Sequence, residues 1–186
     1  RVYIHGATAS SRSFAYIQSE LTDKNIINLD YDRDLPAHQN LEKMVGTLSK
    51  VNDEFYFVCH SLGGGYAAYL PNEFHKLTRG VCSLSTPFIG SDIALWTNML
   101  IPHYQLFQDI TPTSKFISGS RRISIEVPWT QFVTESGGVP WLLGKNDGIV
   151  TYDSMVSRDD IDLIPIERNH YGILQSRRVV DFLKHT

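Results

Sequence analysis

Between Val2 and Leu84, short apolar runs alternate with segments of helical character, and this alternation constrains the fold more than any other feature. Residues 2–4, 26–29, 55–59 and 81–84 read as strands built mostly from apolar side chains. Strands of that kind are buried on both faces, as in parallel sheets. Parallel neighbours need a crossover connection, which a helix supplies. A helix is expected over 14–21, with Ser11 or Ser13 as its cap. A second begins near Pro36 and sets Leu41, Met44, Val45 and Leu48 on one stripe. A third spans 62–70 and is expected to stop at Pro71. Two more strands are predicted at 130–134 and 162–166, and a last helix over 173–183. The predicted architecture is an α/β three-layer sandwich around a mostly parallel sheet of about six strands. With no internal repeat and no linker, residues 1–186 read as one domain. The segment 88–122 breaks the rhythm and is expected to form a cap or insertion.

Composition removes several function classes. Seventeen basic against twenty acidic residues give a net charge of −3, so no nucleic-acid partner is expected. An apolar share of 42% is too high for a disordered chain. Two cysteines, Cys59 and Cys82, do not make a disulfide framework and read as reduced, buried thiols. The longest apolar stretch, 93–107, is interrupted by Thr97, Asn98, Pro102 and His103. It falls short of the roughly 20 residues that span a bilayer, so no stable membrane insertion is expected. No charged-then-apolar leader opens the chain, which favours a soluble, cytoplasmic protein, while the absent Met leaves a removed leader open. Asp30, Asp32 and Asp34 alternate as in a calcium loop, but Leu35 and Leu41 stand where Gly and Glu are needed, so they read as a solvated loop. No cysteine–histidine spacing suits zinc, and no metal or organic cofactor is expected.

The strongest chemical signal is Cys59-His60-Ser61-Leu62-Gly63, between an apolar strand and a helix. A sharp strand-to-helix turn lifts its apex side chain out of the sheet, and small residues let strand and helix approach. Gly63, Gly64, Gly65, Ala67 and Ala68 are such residues. A Ser hydroxyl needs a general base to become nucleophilic, and the base needs a carboxylate to hold its tautomer. Of seven histidines, His170 lies after the last predicted strand and just before the last helix. That is the C-terminal edge of a parallel sheet, where open α/β folds carry their sites. The carboxylate should precede it, and Asp147 in Gly144-Lys145-Asn146-Asp147-Gly148 fits. Read alone, Asp147-Gly148 is a turn and His170 a loop histidine; Ser61, Asp147 and His170 in that order, each at a strand end, are far less expected by chance. Donors for an oxyanion are expected from the backbone N–H of Leu62 and of Ala7, in His5-Gly6-Ala7 after the first strand.

Taken together, these stretches resemble the α/β-hydrolase superfamily, and within it the small bacterial-type lipases and esterases. The resemblance rests on Ile4-His5-Gly6-Ala7, Cys59-His60-Ser61-Leu62-Gly63-Gly64, Leu84-Ser85-Thr86-Pro87-Phe88-Ile89-Gly90-Ser91, Asn146-Asp147-Gly148-Ile149-Val150 and Asn169-His170-Tyr171-Gly172-Ile173-Leu174. Asp109-Ile110-Thr111-Pro112-Thr113-Ser114-Lys115-Phe116 is similar to a segment of the lipase cap region. The resemblance implies Ser61 as nucleophile, Asp147 as acid, His170 as base and the N–H groups of Ala7 and Leu62 as the oxyanion hole, on a minimal hydrolase sheet. Cys59 stands where the pattern has its first Gly, and Ser85 and Phe88 stand for a Gly and a His of the sixth-strand motif; none is expected to carry chemistry.

The implied activity is hydrolysis of a small-molecule carboxylic ester or lipid through an acyl-enzyme. A thioesterase, amidase or acyltransferase with the same triad, or an acyl-binding module without turnover, stays open. His60, Phe88, Trp96, Leu100 and Leu106 are the candidate substrate-pocket residues, with Met99, Ile101, Tyr104 and Phe107 in the same apolar segment. That segment reads equally as an acyl pocket, a short lid or an ordinary core helix.

Overall fold

Strand β1 (Val2–Ile4) sends Tyr3 to one side of the sheet and Val2 and Ile4 to the other, and both sides are buried. The computed structural model describes residues 1–90, 105–142 and 144–186. Five further strands, β2 (Ile27–Leu29), β3 (Phe55–His60), β4 (Thr78–Leu84), β5 (Trp129–Thr134) and β6 (Asp162–Ile166), complete one sheet in the order β2-β1-β3-β4-β5-β6. All pairings are parallel. The period of two along each strand divides the core. Val2, Ile4, Phe57, Cys59 and Val81 face one layer, whereas Tyr3, Val58, Cys82 and Leu84 face the other.

Among the described residues the α-helices are α1 (Ala15–Glu20), α2 (Ala37–Leu48), α3 (Leu62–Ala67), α4 (Leu70–Glu73), α5 (Gln105–Asp109), α6 (Lys115–Arg122), α7 (Tyr152–Met155) and α8 (Arg177–Leu183). The first face of the sheet is covered through Met44, Leu48, Tyr66, Phe116 and Ile117. The second is covered through Ile17, Val179, Val180 and Leu183. Each such side chain contributes about 1.5–3 kcal/mol by leaving water. The result is the predicted α/β/α sandwich. Pro165 is tolerated because β6 is an edge strand.

The strand order reverses once. From β1 the chain moves out to β2, then crosses back beyond β1 to β3 and continues in that direction to β6. In open parallel sheets the crevice at such a reversal is where ligands bind. Here it lies between the C-terminal ends of β1 and β3, which lead into His5-Gly6-Ala7 and Ser61.

Three helix ends differ from expectation. Neither Ser11 nor Ser13 caps the first helix: both lie in a 3-10 turn (Ser11–Phe14) ahead of α1, and their hydroxyls donate to Asp30 and to the Ser10 carbonyl. Pro71 does not stop the third helix: α3 ends at Ala67, and Pro71 sits in the first turn of α4, where a missing N–H costs nothing. The last helix is split by Ser176, whose extended backbone (φ −83°, ψ 120°) separates a 3-10 turn (Gly172–Gln175) from α8. Within 88–122, the sequence showed no clean period, yet α5 and α6 form there. Ser114 caps α6 by accepting the Ile117 N–H at 3.0 Å, and the Phe116 ring stacks on Tyr69. Residues 115–122 therefore belong to the layer over the sheet. Trp96, Met99, Leu100, Ile101 and Tyr104 lie outside the described residues.

Between β4 and β5 runs a buried polar network. Gln131 accepts from the Ser83 hydroxyl at 2.7 Å and from the Thr86 N–H at 3.3 Å. Its amide donates to the carbonyls of Thr86 (3.1 Å) and Met155 (2.6 Å). Trp129 Nε1 donates to Ser83 Oγ at 2.8 Å and closes the network. It ties β4, β5 and α7 together behind the sheet edge that bears the site.

Candidate active site

Ser61 joins β3 to α3 with φ 52° and ψ −123°, a backbone region that L side chains avoid. Holding it there costs on the order of 1–3 kcal/mol, so the surroundings must enforce it. They do so through a 2.8 Å hydrogen bond from the Ser61 N–H to the Leu84 carbonyl and through close packing of α3. A Cβ at Gly63 would fall on the Ile4 carbonyl oxygen, and one at Gly64 on the Thr86 hydroxyl. The glycines that follow Ser61 are thus required by the approach of α3 to β1 and to the end of β4.

Asp147 sits in a loop held by Asn146, whose side chain accepts the Val139 and Gly148 N–H groups at 3.0 and 3.1 Å. The Asp147 carboxylate is saturated. Oδ1 accepts the N–H groups of Ile149 (3.1 Å) and Val150 (2.8 Å); Oδ2 accepts His170 Nδ1–H (2.8 Å) and the Thr134 hydroxyl. Burial alone would raise its pKa, but the donors His170, Thr134 and Val150 outweigh it and hold the group below the usual carboxylate range. The His170 N–H also donates to the Asp147 carbonyl at 3.1 Å. With Nδ1–H committed to the carboxylate, His170 Nε2 carries the free lone pair.

Ser61 and His170 line one cavity of about 260 Å³, with Ala7 and Leu62 in the same wall. No Ser61–His170 hydrogen bond is formed among the described residues, although both line the same cavity. Leu62 opens α3, and its N–H has no intrahelical acceptor. The remaining wall is mainly apolar, with Pro87, Phe107, Ile110, Ile149, Val150 and Leu174.

No family model matches the chain, and no curated relative matches it. Solved structures do. A Bacillus licheniformis lipase, BlEst2, in its mature form aligns over 98% of this chain and 89% of its own, with TM-score 0.69 and 16% identity. A lipase-esterase related protein from Clostridium acetobutylicum aligns over 99% and 92%, with TM-score 0.68 and 13% identity. A Paleococcus ferrophilus monoacylglycerol lipase aligns over 99% and 93%, with TM-score 0.65 and 11% identity. The chain has the α/β-hydrolase fold.

Within this hydrolase fold, two of the expected pocket residues face elsewhere. Phe88 is buried against Trp129, with the Arg158 guanidinium over its ring, and does not line the cavity. Leu106 is buried in the core; the next residue on α5, Phe107, reaches the cavity, because the helix turns adjacent positions to different sides. Trp96 and Leu100 lie outside the described residues. His60 does line the cavity. It donates Nε2–H to the His170 carbonyl at 2.8 Å, and its Nδ1 is buried without a partner. Burial and the neighbouring His170 push the His60 pKa down to about 3, so the ring is neutral. His5 donates Nδ1–H to the Gly6 carbonyl at 2.7 Å and stacks on Tyr31, which steadies the loop that carries Ala7.

Cys59 points into the core, and burial pushes its thiol well above the ordinary range, so it supplies no thiolate. Asp30 is occupied by the chain itself, accepting the Ser11 N–H and hydroxyl at 2.7 and 3.0 Å. Among the described residues no group of three His, Cys, Asp or Glu side chains could hold a metal ion, and no helix is long and apolar enough to cross a membrane. Sequence reasoning missed Thr134, which carries no local motif, and set Ser85 aside as a member of the sixth-strand motif without chemistry; both come to Asp147 only through the pairing of distant strands.

Proposed function

We propose that the chain is a serine hydrolase acting on carboxylic esters through an acyl-enzyme. The observation that carries this reading is the hydrogen-bonded Asp147–His170 pair opening onto the same apolar cavity as the strained Ser61. Ser61 Oγ attacks the ester carbonyl while His170 Nε2 takes its proton. Asp147 stabilises the imidazolium, and the N–H groups of Ala7 and Leu62 receive the oxyanion. His170 then protonates the leaving alcohol, the carbonyl re-forms on Ser61, and a water activated by His170 releases the acid. The apolar walls favour an acyl chain over a charged group. That the solved neighbours are named lipases and esterases supports the same reading.

The test is hydrolysis of p-nitrophenyl esters from acetate to palmitate beside Ser61→Ala. Loss of the nucleophile should remove about 10³–10⁶ of rate. Activity that survives in Ser61→Ala would overturn the assignment of the nucleophile. Thioesters, amides and acceptor alcohols offered to the same protein separate the hydrolase from its thioesterase, amidase and acyltransferase alternatives. A fluorophosphonate probe that fails to label Ser61 would favour the acyl-binding module.

A further inference from the structure

We infer that Ser85 and Thr134 extend the Asp147–His170 pair into a buried hydrogen-bond relay that positions the carboxylate, Ser85 Oγ–H donating to Thr134 Oγ1 and Thr134 Oγ1–H to Asp147 Oδ2. The inference rests on the proposed triad and adds two residues behind it. Ser85, Thr134 and Asp147 are all buried, with exposures of 0, 0 and 1%. The Ser85 and Thr134 hydroxyl oxygens are 2.9 Å apart, and either could donate. The direction follows from counting protons. Thr134 has one hydroxyl hydrogen. Its acceptors are Asp147 Oδ2 and, at 3.4 Å, Met155 Sδ, and the charged oxygen is much the better one. Thr134 therefore has no proton left for Ser85, and Ser85 must donate.

The backbone of Ser85 points the same way. Its φ is +54°, a region where Gly sits without strain and Ser does not. The strained residue places its hydroxyl on the relay. The Thr134 hydroxyl donates to the oxygen that also receives His170 Nδ1–H, and Ser85 acts on that oxygen only through Thr134, so the relay fixes which way the carboxylate edge faces. The titratable groups around that edge are His170 itself and His60, whose ring centroid lies 4.8 Å from the His170 ring; the Tyr171 ring also packs against His170. His170 reaches Oδ2 through its own Nδ1–H, and neither His60 nor Tyr171 hydrogen-bonds to it.

The test uses Thr134→Val, Thr134→Ser and Ser85→Gly in the full chain, with two readouts. One is p-nitrophenyl butyrate kinetics. The other is the low-field proton resonance of His170 Nδ1–H, which needs no turnover. With one donor removed, Oδ2 becomes a stronger acceptor for Nδ1–H. Thr134→Val should move the resonance downfield and lower kcat about tenfold with KM unchanged. Thr134→Ser should restore both. Ser85→Gly should shift the resonance in the same direction and lower kcat, while the melting temperature is kept because the backbone strain is relieved. That combination separates positioning from simple loss of fold. An unmoved resonance in well-folded Thr134→Val and Ser85→Gly overturns the relay. A shifted resonance in a protein with no esterase activity would leave the relay standing and sink the proposed reaction instead.

Discussion

His60 donates its Nε2–H to the backbone carbonyl of His170 at 2.8 Å, so the residue before the candidate nucleophile holds the loop of the candidate base. The two rings lie 4.8 Å apart, and both are buried. His60→Phe removes the donor and leaves that carbonyl unpaired, at a cost of about 1–3 kcal/mol in stability. His60→Gln keeps an N–H of similar reach and should retain most activity. Urea unfolding and ester kinetics on both variants check this; equal losses in the two would show that ring packing, not the hydrogen bond, is what matters.

His60 also sets a pH dependence. Its folded pKa is depressed to about 3, so between that value and about 6.5 the unfolded chain binds a proton that the folded chain does not. Stability from this group is therefore complete above about pH 6.5 and is lost as the pH falls, by up to about 2 kcal/mol at pH 5. Asp147, also depressed, adds a second loss only at lower pH, below its unfolded value near 4. Unfolding free energies at pH 7 and pH 5 should differ more for the unmodified protein than for His60→Gln.

Ser61 stores strain that glycine would not. Ser61→Gly should melt higher than the unmodified protein, and higher than Ser61→Ala, which keeps a Cβ at φ 52°. A gain of about 1–2 kcal/mol is expected. Calorimetry of the three proteins decides it, and no advantage of Gly over Ala would mean the turn is not strained.

Gln131 is the centre of a network of four hydrogen bonds to three residues: Ser83, Thr86 (through its N–H and its carbonyl) and Met155. Gln131→Met keeps roughly the volume and strands those groups in the core. A loss of about 3 kcal/mol or more in unfolding free energy is expected, against less than 1 kcal/mol for an exposed position.

Acyl-chain preference should respond at Phe107, which faces the cavity, and not at Leu106, which faces the core. Phe107→Ala should raise kcat/KM for longer p-nitrophenyl esters relative to acetate by about tenfold. Leu106→Asp should instead cost stability and depress all chain lengths together. A chain-length profile unchanged in Phe107→Ala would remove that residue from the acyl path.

The elements most legible in the sequence were those with a short-range signature. The apolar runs and the helical stripe of α2 gave the sheet and its covering layers, because a strand buried on both faces has no polar side to show. The glycines after Ser61 were legible because close approach of α3 excludes a Cβ, whatever the rest of the chain does. Ser61, Asp147 and His170 could be named from their places at predicted strand ends. The split of the last helix at Ser176 was not legible, since its apolar spacing continues through the break.

What the order of residues determined by itself is the alternation that makes a parallel sheet and the turn that needs Ser61 among small neighbours. What only the tertiary structure decided is which side chains face which way and who meets whom across strands. Phe88 against Trp129, Phe107 rather than Leu106 at the cavity, His60 on the His170 carbonyl and Ser85 behind Thr134 join residues separated by up to 110 positions or by a single helical step. Periodicity reports the face of one element; a contact between elements depends on the strand order and register that bring them together, and these form only when the whole sheet does.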